Sequence, residues 1–165
     1  MAYVYLLLGR NVGDRFGHIQ NARTLIAEKA GEILKASQLY ETAAWGITDQ
    51  ENFLNQALLL QTNLQPTELL TVLQEIEKLT GRVNTHRWGP RIIDIDILFW
   101  EEQTVNEPHL TIPHPQVQYR RFALAPLLDL APDYMHPVLH LTVKQMLAQC
   151  PDKLPVRAIN EAYET

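Results

Sequence analysis

The order of strand-like and helix-like segments is the feature of this sequence that most restricts its fold. Short apolar or β-branched runs and two longer stretches with helical spacing follow one another in the order β-α-β-β-α-β. This order is typical of an α+β ferredoxin-like sandwich, in which the helices pack on one face of an antiparallel sheet. The predicted strands are 4–8, 33–42, 53–62 and 92–100, and the predicted helices are 15–30 and 66–80.

Two apolar stripes support the helix predictions. The first follows Asp14, a residue type that caps helix N-termini, and stops at Gly31. The second starts at Pro66, which suits a first helical position, and stops at Gly81. Each stripe gives its helix one face to bury against the sheet. The stripes are Phe16, Ile19, Ala22, Ile26 and Ala30 in the first helix and Leu69, Val72, Leu73, Ile76 and Leu79 in the second.

The C-terminal part of the chain is expected to add a strand and helices to this framework. A short extended piece is predicted at 110–112, and a helix at 122–130 that is interrupted or kinked at Pro126. Thr142 is a candidate cap for a last helix that runs through Gln149. Most of the ten prolines lie in this half. We therefore expect loops packed over the core rather than a second domain, so that residues 1–165 form one domain.

Length, charge and cysteine content exclude several classes of protein. The 165 residues are close to the ~150 of an average domain, and the single Cys150 excludes an internal disulfide. A net charge of −5 is unusual for a general nucleic-acid or membrane-surface binder. The apolar run at 4–8 has no basic residue before it and is far shorter than the ~20 residues that span a bilayer. We expect a cytoplasmic protein with neither nucleic acid nor a membrane as partner.

Residues 81–91 are the most distinctive local segment. They include three arginines, one histidine and no acidic residue, and their glycines and proline predict a loop. Guanidinium groups suit phosphate oxygens because each donates two parallel hydrogen bonds. Arg82, Arg87 and Arg91 therefore suggest a clamp for a polyphosphate. A solvated basic loop that pairs with nearby acids is the other interpretation.

The strand that follows this loop includes two carboxylates. Asp94 and Asp96 lie two residues apart, so both point to the same face of the predicted strand, with Cα atoms about 6.6 Å apart. Mg²⁺ binds carboxylate oxygens and keeps the rest of its shell for water and substrate phosphates. The alternative is a strand with one solvated face. Repulsion between the two like charges weakens that alternative, because a metal ion would relieve it.

Together, the loop and the strand predict phosphoryl-type transfer from a metal-bound nucleotide. A nuclease or a phosphatase needs the same parts, so the residues alone indicate only a metal and a polyphosphate. Residues 9–13 lack the ending of a P-loop and are expected to form a tight turn at the floor of the site. His136 and His140 are not expected to form a zinc pair, because Pro137 argues against a helix between them.

Residues 81–97 resemble the signature R-W-G-P-R-x-x-D-x-D of the 6-hydroxymethyl-7,8-dihydropterin pyrophosphokinases of folate biosynthesis. The signature runs here from Arg87 to Asp96. The resemblance extends over residues 3–132. Its further matches are Leu8-Gly9 with Asn11, Tyr40-Glu41-Thr42, Phe53-Leu54-Asn55, and Leu110-Thr111-Ile112-Pro113-His114-Pro115 with Arg120 and Phe122.

This resemblance implies a reaction and a set of site residues. The reaction is transfer of a pyrophosphoryl group from ATP to the hydroxymethyl oxygen of the dihydropterin, with release of AMP and with two Mg²⁺ ions. Asp94 and Asp96 would bind the metal, while Arg82 and Arg91 would neutralise the transferring phosphates. The nucleotide would contact Gln74, Glu77, Trp88, Arg91, Thr111, His114 and Arg120. The pterin would lie between Phe53 and Phe122, beside Asn55 and the segment that includes Thr42, Ala43 and Trp45.

Two other functions compatible with the sequence compete with this one. The first is an RNA-binding module on the same framework, whose arginine loop would touch phosphates. The second is a nucleotide-binding protein with weak or lost catalysis. Under the main hypothesis, the partners are the small-molecule substrates alone and the chain is a monomer.

Overall fold

A computed structural model of the chain describes residues 1–10, 14–42, 52–81 and 93–159. Strands and helices alternate through the first hundred residues in the predicted β-α-β-β-α-β order, except that the second strand is divided in two. The strands are β1 (Ala2–Arg10), β2 (Glu32–Ala36), β3 (Leu39–Thr42), β4 (Phe53–Thr62), β5 (Asp94–Trp100), β6 (Val105–Glu107), β7 (Leu110–Ile112) and β8 (Val156–Ile159). The helices are α1 (Arg15–Lys29), α2 (Pro66–Gly81), α3 (Arg121–Leu130) and α4 (Val143–Gln149), with a 3₁₀ helix at Val117–Tyr119.

The main sheet has the strand order β5-β1-β4-β3-β8, and β2 pairs with β4 beside β3. Each of these pairings is antiparallel. β1 and β4 are central, with a register that runs from Ala2 opposite Thr62 to Arg10 opposite Leu54. β6 and β7 form a separate hairpin. The fold is therefore α+β with an antiparallel sheet, as the sequence predicts.

Helices cover both faces of the sheet, which the sequence analysis did not predict. On the first face, alternate β1 residues such as Leu6 and Leu8 are buried against α1 and α2, in a cluster that includes Ile26 and Ile76. On the second face, Leu7 and Ala57 are buried against α3 and α4. Each fully buried Leu or Ile side chain contributes about 1.5–3 kcal/mol. The proline-rich C-terminal half therefore completes a second apolar layer rather than only adding loops.

Local hydrogen bonds explain where the helices begin. The side chain of Asp14 accepts a hydrogen bond from the Gly17 backbone N–H at 3.0 Å and caps α1. Thr142 and Gln145 form a reciprocal capping box at the start of α4, as expected from Thr142. α3 is not interrupted at Pro126. The proline costs one hydrogen bond, to the Phe122 carbonyl, and its buried ring packs with the second layer.

The structure differs from the predicted strands in two places. The predicted strand 33–42 is divided because Ser37 bonds to Ala57 through its backbone N–H and its hydroxyl, and the next backbone N–H, of Gln38, donates to Asp129 of α3. β8 was missed because its four residues alternate only weakly between polar and apolar. Within the described ranges, no helix is both long and apolar enough to span a membrane.

Candidate functional site

The register of four strands brings several of the predicted site residues into one row. Asp94 of β5 lies opposite Gly9 of β1, Gly9 lies opposite Asn55 of β4, and Asn55 lies opposite Tyr40 of β3. Neighbouring strands are about 4.8 Å apart, so the row spans roughly 15 Å. Because side chains alternate along a strand, this row shares the face of Leu7, which is the face beneath α3 and α4. The site therefore lies on the second face.

Asp94 and Asp96 point to the same face of β5, as predicted. Leu98, two residues further, is buried in the second apolar layer, so the carboxylates continue the row of Leu98 towards the start of the strand. Asp94 is exposed and Asp96 is partly buried. The described residues contain no group of three or more metal-ligating side chains. Two carboxylates suit Mg²⁺ nonetheless, because that ion keeps most of its six positions for water and phosphate oxygens.

Glu77 is held differently from what its helix position predicts. Gln74 and Glu77 are three residues apart and do not belong to the apolar stripe of this helix, a position that predicts exposed side chains. Gln74 is exposed, but Glu77 is buried, and its Oε2 accepts a hydrogen bond from the Ile95 backbone N–H at 2.8 Å. β5 is an edge strand, so this N–H has no strand to pair with on that side. Glu77 therefore fixes the backbone between Asp94 and Asp96.

His114 lies beside β5, and the charge of Asp96 affects its pKa. Its backbone N–H donates to the Leu98 carbonyl at 2.9 Å. Burial lowers the pKa of His114, the Asp96 carboxylate opposes this, and Arg120 lowers the pKa further. Thr111 is exposed on β7, just before the cis peptide bond between Ile112 and Pro113. His114 is therefore close enough to both Asp96 and Arg120 for their charges to shift its pKa.

Asn55 and Thr42 have buried polar atoms that find no partner within the described ranges. The Nδ2 of Asn55 donates to the Leu8 carbonyl at 3.1 Å. Its Oδ1 and the Oγ1 of Thr42 have no hydrogen-bond partner among the residues that the structure describes. Both residues are at least 95% buried. Such atoms cost about 1–3 kcal/mol each, so they indicate a place where a ligand completes the hydrogen bonding.

Phe53 and Phe122, the two aromatic residues expected at the pterin, differ in exposure. Phe53 lies opposite Thr42 and is 40% exposed, which is high for an aromatic side chain on a covered sheet face. Phe122, near the start of α3, is half-buried against the second apolar layer. The guanidinium of Arg120 lies over its ring, 5.6 Å from the centroid. Phe53 thus lies beside Thr42, and Phe122 lies on the same face of the sheet, against the second apolar layer.

A comparison with protein families decides between the remaining interpretations. The model of the family described as 7,8-dihydro-6-hydroxymethylpterin-pyrophosphokinase (HPPK) matches residues 5–132. The chain belongs to this family. The resemblance to the pterin pyrophosphokinases is thereby confirmed, and neither the geometry nor the relatives support the RNA-binding alternative.

Curated relatives agree with the HPPK assignment. A 2-amino-4-hydroxy-6-hydroxymethyldihydropteridine pyrophosphokinase of Aquifex aeolicus is 43% identical over 145 residues, covering 88% of this chain and 90% of that protein. The protein of the same name from Methylorubrum extorquens is 41% identical and covers 90% and 94%. The folic acid synthesis protein FOL1 of Dictyostelium discoideum is 40% identical, and the chain spans 22% of its length.

Solved structures show the same fold. The wild-type HPPK-DHPS of Plasmodium falciparum with STZ-DHP superposes with a TM-score of 0.74 at 20% identity. The match covers 90% of this chain and 43% of that one. At this identity the likeness concerns the fold alone.

Five of the expected HPPK site residues lie outside the described residues. They are Arg82, Trp88 and Arg91, expected at the nucleotide, and Ala43 and Trp45, expected at the pterin. Gly9, expected in a tight turn, lies instead inside β1, where the register with Asp94 and Asn55 makes it the floor of the row. The Nδ1 of His136 accepts hydrogen bonds from the backbone N–H groups of Val138 and Leu139, so that nitrogen holds a turn of the chain.

Sequence reasoning missed the ion pair of Arg15 and Glu41. Its atoms are 3.0 Å apart and the Arg15 side chain is 14% exposed. The residues are 26 positions apart, so no local pattern indicates their contact. The one signal in the sequence was an acidic residue next to Thr42, near the end of the predicted strand 33–42.

Proposed function

We propose that the chain transfers a pyrophosphoryl group from ATP to 6-hydroxymethyl-7,8-dihydropterin, a step in tetrahydrofolate biosynthesis. The hydroxymethyl oxygen forms a bond to the β-phosphorus of ATP, the bond from that phosphorus to the α,β-bridging oxygen breaks, and AMP leaves while the hydroxyl proton is released. The row that joins Asp94 to Asn55 across Gly9 carries this proposal. It sets a carboxylate pair for the phosphates about two strand spacings from an unpartnered polar group for the pterin.

Asp94 and Asp96 are the proposed ligands of two Mg²⁺ ions at the phosphate end. When bound, magnesium neutralises the phosphate charge that opposes attack by the hydroxyl oxygen. The support is the shared face of the two carboxylates and the exposure of Asp94. We assign Arg82 and Arg91, with Trp88 between them, to the same phosphates, in keeping with the family signature.

The nucleotide side of the proposed site is the outer edge of β5. Its residues are Gln74, Glu77, Thr111, His114 and Arg120. The electrostatic link between Asp96, His114 and Arg120 supports a place for the triphosphate there. Glu77 is proposed as a residue that positions the strand as well as one that borders the nucleotide, because its carboxylate bonds to Ile95.

The pterin side is proposed at Thr42, Phe53, Asn55 and Phe122, with Ala43 and Trp45 beside them. A pterin ring has N–H donors along its edge, and the Oδ1 of Asn55, which has no partner in the part of the chain that the structure describes, is an acceptor. Phe53 and Phe122 offer faces for a flat ring, and stacking is worth about 0.5–1.5 kcal/mol beyond area burial. Together these groups favour a flat, hydrogen-bonding ligand over a flexible one.

We also propose a fold type, a domain organisation and a cellular location for the chain. The framework is proposed to be ferredoxin-like, since the antiparallel sheet has α1 and α2 on one face in β-α-β-β-α-β order. One domain over residues 1–165, a monomeric state and a cytoplasmic location stay predictions. The partners are the two small-molecule substrates.

The test is production of AMP from ATP, with and without the hydroxymethyl-dihydropterin. We expect AMP only when the pterin and Mg²⁺ are both present. Asp94→Asn and Asp96→Asn are each expected to lower kcat by at least about a hundredfold, because charge neutralisation at the phosphates is lost. Glu28→Gln, an exposed carboxylate on α1, is the matched control and should keep wild-type turnover. AMP formation that does not depend on pterin would overturn the proposed function.

A further inference from the structure

Arg15 connects the two strand ends that flank the proposed pterin site. Its Nη1 donates to the Oε2 of Glu41 at 3.0 Å and to the backbone carbonyl of Asn52 at 2.9 Å. Glu41 is next to Thr42 at the end of β3, and Asn52 is next to Phe53 at the start of β4. One guanidinium nitrogen therefore holds the immediate neighbours of two proposed pterin contacts.

The contact lies on the opposite face of the sheet from the pterin site. Glu41 pairs with Leu54, which belongs to the first apolar layer, whereas Thr42 pairs with Phe53. Successive side chains of a strand point to opposite faces, so Glu41 points towards α1 while Thr42 points to the proposed pterin site. Arg15 cannot touch the pterin from there, and any effect on it must pass through the backbone of β3 and β4.

The ion pair of Arg15 and Glu41 is largely buried, which favours one fixed geometry. The Glu41 side chain is only 8% exposed and receives a second guanidinium, the Nη2 of Arg157 at 2.7 Å. Removing one partner of a buried charged pair leaves the other without compensation. Arg15 is largely buried as well, at 14% side-chain exposure, whereas the Arg157 side chain is 70% exposed.

We propose that Arg15 is a positioning residue for the pterin subsite. It fixes the separation of Thr42 and Phe53 by holding Glu41 and Asn52 together beneath them. This inference rests on the proposed function, since it assigns the pterin to Thr42 and Phe53. It goes beyond that function by predicting that a residue without contact to either substrate controls the affinity for one of them.

The experiment compares three variants by their KM for each substrate and by the Kd for dihydropterin from fluorescence titration. Arg15→Gln removes the charge and is expected to raise both the KM and the Kd for pterin about tenfold, with the KM for ATP changed less than about twofold. Arg15→Lys keeps a charged donor and is expected to restore both pterin constants to within about threefold of wild type. Arg157→Gln is the matched control and should leave the pterin constants within about twofold of wild type, because it removes an exposed partner of Glu41 and keeps the bond from Arg15 to Asn52.

Thermal unfolding of each variant shows whether the protein is still folded at the temperature of the binding measurements. If Arg15→Gln is unfolded, Glu41→Gln serves instead, with the same direction of change expected. Equal rises in the constants for ATP and pterin, or unchanged pterin constants in a folded Arg15→Gln, would overturn the inference. A wild-type chain that binds pterin but makes no AMP would overturn the proposed function, while the Kd values would still decide the role of Arg15.

Discussion

Gly9 and Asn55 face each other across β1 and β4 so closely that a Cβ atom at residue 9 would lie 2.7 Å from the Nδ2 of Asn55. That amide group is buried and bonds to the Leu8 carbonyl, so it has little freedom to move away. The missing side chain at residue 9 thus lets Asn55 extend over β1 towards Asp94. This relationship connects the proposed phosphate and pterin ends of the site.

Gly9→Ala is expected to impair pterin binding more than nucleotide binding. The added methyl group must displace the Asn55 side chain from Leu8, and the unpartnered Oδ1 moves with it. We expect a KM for pterin at least about tenfold higher, with a KM for ATP within about threefold of wild type. Steady-state kinetics with each substrate varied in turn would check this. Equal increases for both substrates would show that Gly9 matters only for the fold.

Asn55→Leu is expected to separate stability from function. The side chains are similar in size, and the substitution removes a buried oxygen that has no partner within the described residues. Because that oxygen costs about 1–3 kcal/mol, its removal should offset the lost bond to Leu8. We expect a Tm within a few degrees of wild type together with a pterin Kd raised by more than about tenfold. A Tm that falls sharply would mean that Asn55 is a structural residue.

The sequence predicts those parts of the site that depend on local periodicity. The common face of Asp94 and Asp96 follows from the two-residue repeat of a strand, and the structure has it. The bounds of α2 and β4 likewise agree with the predicted ones, because their patterns are long and regular. The position of β5 at the sheet edge is not local, and neither is the hydrogen bond that Glu77 makes there. For that reason the helix pattern does not predict that the Glu77 side chain is buried.

Contacts between distant segments explain the other misses. α3 covers the second face through residues such as Leu124, and this depends on how the chain returns to the sheet after β7. Tyr40 illustrates the same point, since its hydroxyl donates to Asp129 of α3, 89 residues away, at 2.7 Å. The sequence contains each of these residues but no pattern that pairs them. A family signature identifies which residues recur in a site without showing how they are held.

Glu77→Ala is expected to destabilise the chain and slow the reaction together. It leaves the Ile95 N–H buried without its acceptor, which costs about 1–3 kcal/mol. The backbone between Asp94 and Asp96 loses its fixed position, so kcat should fall as well. Glu77→Gln keeps an oxygen acceptor and should retain most of the stability. Urea unfolding and kcat measured on both variants would test this. A kcat for Glu77→Ala equal to that of wild type would exclude a positioning role for Glu77.

The ion pair of Glu41 predicts how stability depends on pH. Burial raises the pKa of Glu41, but hydrogen bonds from Arg157 and Arg15 outweigh burial and hold its pKa below the usual value of 4.5. A carboxylate with a lowered pKa in the folded state stabilises the protein above pH 4.5, and this contribution is lost as the pH falls through the folded-state pKa.

Glu41→Gln cannot titrate at this position. We therefore expect Glu41→Gln to be less stable than wild type at pH 7, and the difference to shrink as the pH falls below 4.5. Glu28→Gln, at an exposed position on α1, is the control and should follow the wild-type curve. A difference between wild type and Glu41→Gln that stays constant over this pH range would show that packing, rather than the charge of Glu41, stabilises this end of the sheet.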